Sequence, residues 1–213
     1  MQQIEHHPLE PFVPADAKIL MLGSFPPKRE RWSMEFFYPN WINDMWRIMG
    51  IIFYGDKHHF EIPNSKNFDR ERIVEFCTAQ GIALYDAASS VRRLKDNASD
   101  KFLEVVRVTD VVALISSMPN CQKVVTTGEK ATQSVAEQLG VVVPAVGQSV
   151  SVVVDNREVE FYRMPSSSRA YPLSVEKKAE QYRKIFCKKV ALCTILAYNI
   201  PLLCQKTTKK CKR

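Results

Sequence analysis

The stretch AKILMLGSFPP, residues 17 to 27, decides how the rest of the chain is read. Four consecutive apolar residues, Ile19 to Leu22, run into Gly23 and then into Pro26-Pro27. A short uninterrupted apolar run bounded by turn residues is the pattern of a buried strand with a loop at its carboxyl end. Downstream, INDMWRIMGIIF (42–53) places Ile42, Met45, Trp46 and Met49 on one helical face. Asp69 is placed to cap RERIVEFCTAQ, whose apolar face is Ile73, Phe76 and Cys77, and Gly81 ends it. IALYD (82–86) reads as a second buried strand and KVVTTG (123–128) as a third, followed by the helix EKATQSVAEQLG. Residues 90–101 are polar and predict a loop; TDVVALISSMPN (109–120) predicts a helix capped by Thr109. VSVVVDNREVEFYRM alternates on both sides of Asp155-Asn156, as a hairpin does. Ser174 is placed to cap VEKKAEQYRKIF.

Strands alternating with helices predict an α/β three-layer sandwich with a central, mainly parallel, four-stranded sheet. In such sheets functional loops lie at the carboxyl ends of the strands. Four stretches qualify: Gly23 to Pro27, Asp86 to Ser90, Thr127-Gly128, and Pro165 to Arg169. The last belongs to MPSSSRAYP (164–172), where small hydroxyls, a cation and an aromatic crowd one strand end.

The 213 residues hold one sizeable core and fall short of two ordinary domains. The expected division is an N-terminal extension (1–16), a single body (17–187) and a basic and apolar tail (188–213). Formal charge is +7, but seven of the 30 basic residues lie in 188–213, which has no acid. The body is therefore formally neutral, with 23 basic residues against 23 acids, and overall charge is weak evidence that the body binds nucleic acid. The six cysteines form no CxxC and no metal-spaced Cys/His pairing, which fits idle thiols in a reducing cytoplasm. His6-His7 and His58-His59 are adjacent pairs whose side chains point apart, so no metal site is expected. The apolar run Val190 to Cys204 has 15 residues and is broken by Asn199 and Pro201. A bilayer span needs roughly 17–25, so a terminal helix or docking segment is expected rather than a membrane anchor.

The pairing of LGSFPP after the first strand with MPSSSRA after the last resembles the uracil-DNA glycosylase superfamily. Its members carry a Gly-x-x-Pro motif after the first strand and a [His/Asn/Leu/Met]-Pro-Ser motif after the last. GSFP, FFYP, NDMWRIMG, GIALYDAASSVRR, the VVTTG segment and MPSSS are similar, in order, to segments of the branch containing hypoxanthine-DNA and mismatch-specific uracil glycosylases. The resemblance spans residues 17 to 187. It implies a monofunctional DNA glycosylase, acting as a monomer without cofactor or metal in base excision repair. Its substrate would be uracil or hypoxanthine flipped out of DNA.

That chemistry needs an aromatic face for the extruded base, and Phe25, Phe37 and Tyr38 are candidates. It also needs preorganised donors toward the base carbonyls and a group that positions water. Much of the superfamily has Asp or Asn at the third place of the first motif; here that place is Phe25. The hypoxanthine branch is similar in this respect and carries an Asn three places before a Trp, which matches Asn43 before Trp46. Asn40 competes with it. The resemblance thus implies Asn43, Ser24 and Asp86 as candidate catalytic residues, with Gly23, Phe25, Pro26, Phe37, Tyr38 and Asn40 around the base. Each also has a plainer reading: a helix N-cap or surface residue for Asn43, the cap of the next turn for Asp86, turn chemistry for Ser24. Met164, Pro165, Ser166, Ser167, Ser168 and Arg169 are the implied DNA contacts, through phosphates flanking the extruded nucleotide. Arg169 or Tyr171 can fill the gap left in the stack. Lys28, Arg29, Arg31, Arg92, Arg93 and Lys130 together would give the sheet edge a positive local field. Two alternatives stand beside this reading: a nucleic-acid-binding module of the same fold without catalysis, and an α/β protein whose motif matches are coincidental.

Overall fold

Ile19–Gly23 (β2), Ile82–Asp86 (β3), Lys123–Thr127 (β6) and Arg157–Met164 (β8) are the parallel strands of one sheet, and all four end along one edge. The register fixes this: Gly23 stands beside Asp86, Leu22 beside Thr126, and Thr127 beside Met164. The computed structural model describes residues 3–94 and 102–186; the tail 188–213 and its apolar run lie outside the described residues. A fifth strand, Gln148–Val154 (β7), joins β8 antiparallel across the hairpin, giving the order β3-β2-β6-β8-β7. The expected four-stranded sheet is thus one strand too small, because both arms of the hairpin join it. Asp155 and Asn156 both have positive φ, 49° and 59°, the two-residue turn whose twist matches paired strands.

Five helices flank the sheet within the described residues: Met45–Tyr54 (α1), Arg70–Gln80 (α2), Val111–Ser116 (α3), Glu129–Leu139 (α4) and Val175–Phe186 (α5). α1 packs on α5 and α3 on α4, while α2 lies against β3. Asp69 caps α2 by accepting from the Arg72 N–H at 3.1 Å. Trp46, Phe161, Leu20, Leu22, Val124 and Val125 are fully buried in one core. This is the α/β architecture with a mainly parallel central sheet that the element order predicts.

Three local expectations are corrected. Residues 90–93 are not loop: Ala88–Arg93 (β4) pairs antiparallel with Ile4–His6 (β1) and Leu103–Val108 (β5) in a second sheet. Only Ala88 and Val91 carry its apolar face, where they meet Phe25 and Leu103, so the sequence signal is sparse. The cap of α3 is Asp110, which accepts from the Ala113 N–H at 2.9 Å. Thr109 instead donates its hydroxyl to the Asp86 carbonyl at 2.7 Å. Ile42 lies before α1 rather than on its buried face, and is 52% exposed.

An ion cluster joins the first half of the chain to the last helix. Lys178 on α5 is wholly buried, and its Nζ lies 3.0 Å from Asp44 Oδ2 and 2.8 Å from the Ser168 carbonyl. Arg169 Nε donates to the other Asp44 oxygen at 3.0 Å. Removing one partner of a buried pair strands the other charge, which costs about 3–5 kcal/mol. Asp44→Ala, which strands Lys178, is expected to lose stability in that range in urea denaturation. Lys178→Met, which leaves Asp44 its Arg169 contact, is expected to lose less.

Candidate functional site

The carboxyl edge of the parallel sheet opens into a cleft of about 900 Å³. Its walls come from distant parts of the chain: Gly23 to Pro27 after β2, Asp86 after β3, Thr127 and Gly128 after β6, Ser166 to Ser168 after β8, and residues 36–43. The 36–43 segment and the β8 loop are hydrogen-bonded to one another. The Asp44 N–H donates to the Ser167 carbonyl at 2.8 Å, and Asn43 and Ser168 form a bridge. Both stretches that stand out in the sequence therefore face one hollow.

Gly23 and Asp86 meet so closely that a Cβ on Gly23 would overlap Asp86 Oδ1. The tight fit explains a glycine at that strand end better than any turn requirement does. Asp86 is buried, and its Oδ2 lies 2.9 Å from Nε2 of His7, whose side chain is 2% exposed. His7 also lines the cleft, and its ring meets Phe25, Phe37 and Tyr85 at centroid separations of 5.5, 6.1 and 4.6 Å. No role for His7 is foreseen from the sequence. Extended backbone does separate His6 from His7, and Pro8 favours that conformation. The partner at position 86, however, is set by the pairing of β1 with β4.

Of the three candidate ring faces, Phe25 and Phe37 are buried, while Tyr38 is half-buried in the cleft wall. Tyr38 has φ of 49°, which bends the chain so that its hydroxyl reaches Thr127 Oγ1 at 3.3 Å. Desolvation holds the phenol well above its ordinary pKa, against a smaller opposing effect of the Thr127 hydrogen bond, so it stays neutral. Asn43 does not cap α1; Asp44 occupies that place. Asn43 Oδ1 accepts the Met45 N–H at 2.9 Å, which turns the amide's N–H donors the other way. Asn40 accepts from the Ile42 N–H at 3.1 Å. Ser24 lies in the cleft wall, and its carbonyl accepts from Ala88. Pro26 is buried, and its carbonyl accepts from Arg93 at 3.2 Å.

In the β8 loop Met164, Pro165 and Ser167 are buried, whereas Ser166 and Ser168 are half-buried. Arg169 turns toward Asp44 and lines a neighbouring hollow of about 550 Å³, with its side chain 46% exposed. Tyr171 lines the cleft itself. Several cations of the expected positive edge are already paired: Arg92 with Glu104 at 2.8 Å, Arg93 with Glu5 at 3.0 Å, and Arg29 with Glu35. Their field at the cleft is correspondingly smaller than their count implies. Among the described residues there is no group of three side chains able to hold a metal ion, and no helix long and apolar enough to cross a membrane.

These features define an α/β protein with a mainly parallel central sheet and a cleft, walled by aromatic and amide side chains, at its strand ends. One solved structure of similar fold is the solution NMR structure of a protein from Methanosarcina acetivorans provisionally assigned as a uracil DNA glycosylase. It matches with a TM-score of 0.57 at 18% identity, over 85% of this chain and 96% of that one. The likeness is one of fold. No protein-family model and no curated protein matches the sequence.

Because Gly23 has no room for a Cβ, Gly23→Ala is expected to push Asp86 away and separate it from His7. In the NMR spectrum the ring N–H signal of His7 should shift or vanish, while the signals of α2 and the β7–β8 hairpin stay in place. An unmoved His7 signal would show that the strand ends can relax around the methyl group.

Proposed function

We propose that the chain is a DNA glycosylase of the uracil-DNA glycosylase superfamily. It would hydrolyse the N-glycosidic bond of a deaminated base, uracil or hypoxanthine, extruded from DNA, as the first step of base excision repair. The observation that carries this reading is the shared cleft: the loops of the first and last parallel strands, which bear the GSFP and MPSSS stretches, wall one hollow large enough for a nucleotide. The fold likeness to the archaeal protein supports it.

The extruded base stacks against Tyr38, the most exposed of the three rings. As the bond to C1′ breaks, the base departs as an anion and the sugar becomes cationic. The Asn43 amide, oriented by its contact with Met45, donates to a base carbonyl where that negative charge develops. Asn40 and Ser24 complete the polar wall. Ser166 and Ser168 contact the flanking phosphates, and Tyr171 at the cleft mouth fills the vacated place in the stack. Substrate selection among deaminated bases falls to the wall formed by residues 36–43.

Base release from duplexes containing uracil, hypoxanthine, xanthine or a thymine mismatch tests this directly. Cleavage of uracil or hypoxanthine is the expected result. Binding to these duplexes with no release would favour a catalytically silent binding module, the reading that Phe25 at the third motif place invites. Asn43→Ala is expected to slow single-turnover release about 10²-fold or more without loss of folding; an unchanged rate removes Asn43 from the chemistry. Tyr171→Ala is expected to weaken binding to damaged duplex more than to single strand. Equal losses, or the larger loss falling on Arg169→Ala, would take the wedge away from Tyr171.

A further inference from the structure

We infer that His7 is a positioning residue of the site: it holds the Asp86 carboxylate so that the opposite oxygen receives the water that attacks C1′ of the extruded nucleotide. The inference rests on the glycosylase reading and deepens it. A water-positioning acceptor is needed at the cleft floor, and Phe25 at the third motif place has no polar atom to serve. Two carboxylates line the cleft. Glu129 is exposed on the first turn of α4, whereas Asp86 is buried at the end of β3, beside Gly23.

The pair is built rather than incidental. A carboxylate only accepts, so Nε2 of His7 carries the proton directed at Asp86 Oδ2. The other ring nitrogen is matched in either state: Nδ1 lies 3.2 Å from the Leu9 N–H and 2.7 Å from the Leu9 carbonyl. Backbone pairing fixes the segment that delivers the ring. The His7 N–H donates to the Ser89 carbonyl at 2.9 Å, and Phe12 exchanges hydrogen bonds of 3.0 and 2.9 Å with Leu84. Tyr85 and Asp86 are the titratable side chains against the ring; Phe25 and Phe37 are its other ring contacts. On the Asp86 side, Oδ2 is taken by His7 and the backbone carbonyl by Thr109, while Oδ1 accepts no hydrogen bond from the described residues. A carboxylate fixed at one oxygen, with the other beside Gly23 and still able to accept, can hold a water.

The step balances without a co-reactant. Water oxygen bonds to C1′ as the N-glycosidic bond breaks, and its electron pair leaves with the base. The water proton passes to Asp86 Oδ1 and on to solvent, and the base anion takes a proton from solvent. The carboxylate stands by the cationic sugar, where its charge is favourable.

The test is single-turnover base release from uracil and hypoxanthine duplexes by the full chain and by Asp86→Asn, His7→Leu and His7→Gln, with affinity for an uncleavable 2′-fluoro duplex measured beside it. Asp86→Asn is expected to slow release by about 10²-fold or more, and His7→Leu by about tenfold or more. The Gln amide reaches about where Nε2 stands, so His7→Gln should retain the rate to within about threefold. Affinity for the uncleavable duplex should hold in all three. A His7 ring N–H signal that moves in Asp86→Asn should report the pair independently of turnover. Wild-type rates in Asp86→Asn or His7→Leu, or a His7→Gln as slow as His7→Leu, overturn the inference alone. Should His7→Leu fail to fold, Asp86→Asn decides. A wild-type protein that releases neither base overturns the glycosylase reading, and the role of His7 with it.

Discussion

The cleft depends on one buried carboxylate. Asp44 stands at the N-cap position of α1, where the 36–43 wall turns into the helix, and its carboxylate binds Lys178 on α5 and Arg169 beyond β8 at 3.0 Å each. Residues more than 120 positions apart in sequence are thereby held at hydrogen-bond distance. The backbone agrees with the side chains, since the Asp44 N–H donates to Ser167 and Lys178 to the Ser168 carbonyl. Burying these charges is costly, and an apolar cluster of equal volume would have been as stable or more so. Apolar packing, however, would not set the register between the two loops. The ionic cluster does, and it is the register that makes the two loops face one hollow.

The first two strands of the parallel sheet were legible because they are short, nearly continuous apolar runs ended by Gly23 and Asp86. Ile19 to Gly23 and Ile82 to Asp86 needed no partner information to be read. The hairpin was legible because Asp155-Asn156 supplies the two positive-φ positions that its turn demands. The second sheet was not. β4 is ASSVRR, and its inward residues include Ser90 and Arg93, buried through hydrogen bonds to His6 and Glu5 rather than through apolarity. Polar burial of that kind is set by long-range partners, and no local period announces it.

The site divides the same way. Strand ends and turn-rich loops point to where a cleft opens, because topology sends them to one edge. They say nothing about which side chains inside it are spoken for. Arg169 reads from the sequence as a free cation beside the serines, yet its guanidinium is engaged by Asp44. Arg92 and Arg93 read as a basic patch, yet both are paired with glutamates. In the other direction, His7 reads as half of an idle pair in an extension, yet its ring lies against the cleft's buried aspartate. Charge counted along a chain overstates the free field wherever the fold supplies counter-ions at hydrogen-bond range.

The aromatic surroundings of His7 and Asp86 bear on how such a pair would act. Phe25, Phe37 and Tyr85 crowd the imidazole and keep bulk water from its edges. In a medium of low polarisability a fixed charge acts over the few ångströms to a reacting atom with little screening, so a single well-held carboxylate does the work that several loosely held ones do in water. An apolar Phe25 at the motif's third place is then consistent with the rest of the site. Its side chain has no polar atom, and it helps keep water from the His7 ring beside Asp86. It also packs on Ala88, Val91 and Leu103, tying the second sheet to the cleft. The sheet that delivers His7 and the ring that shields it are thus parts of one arrangement.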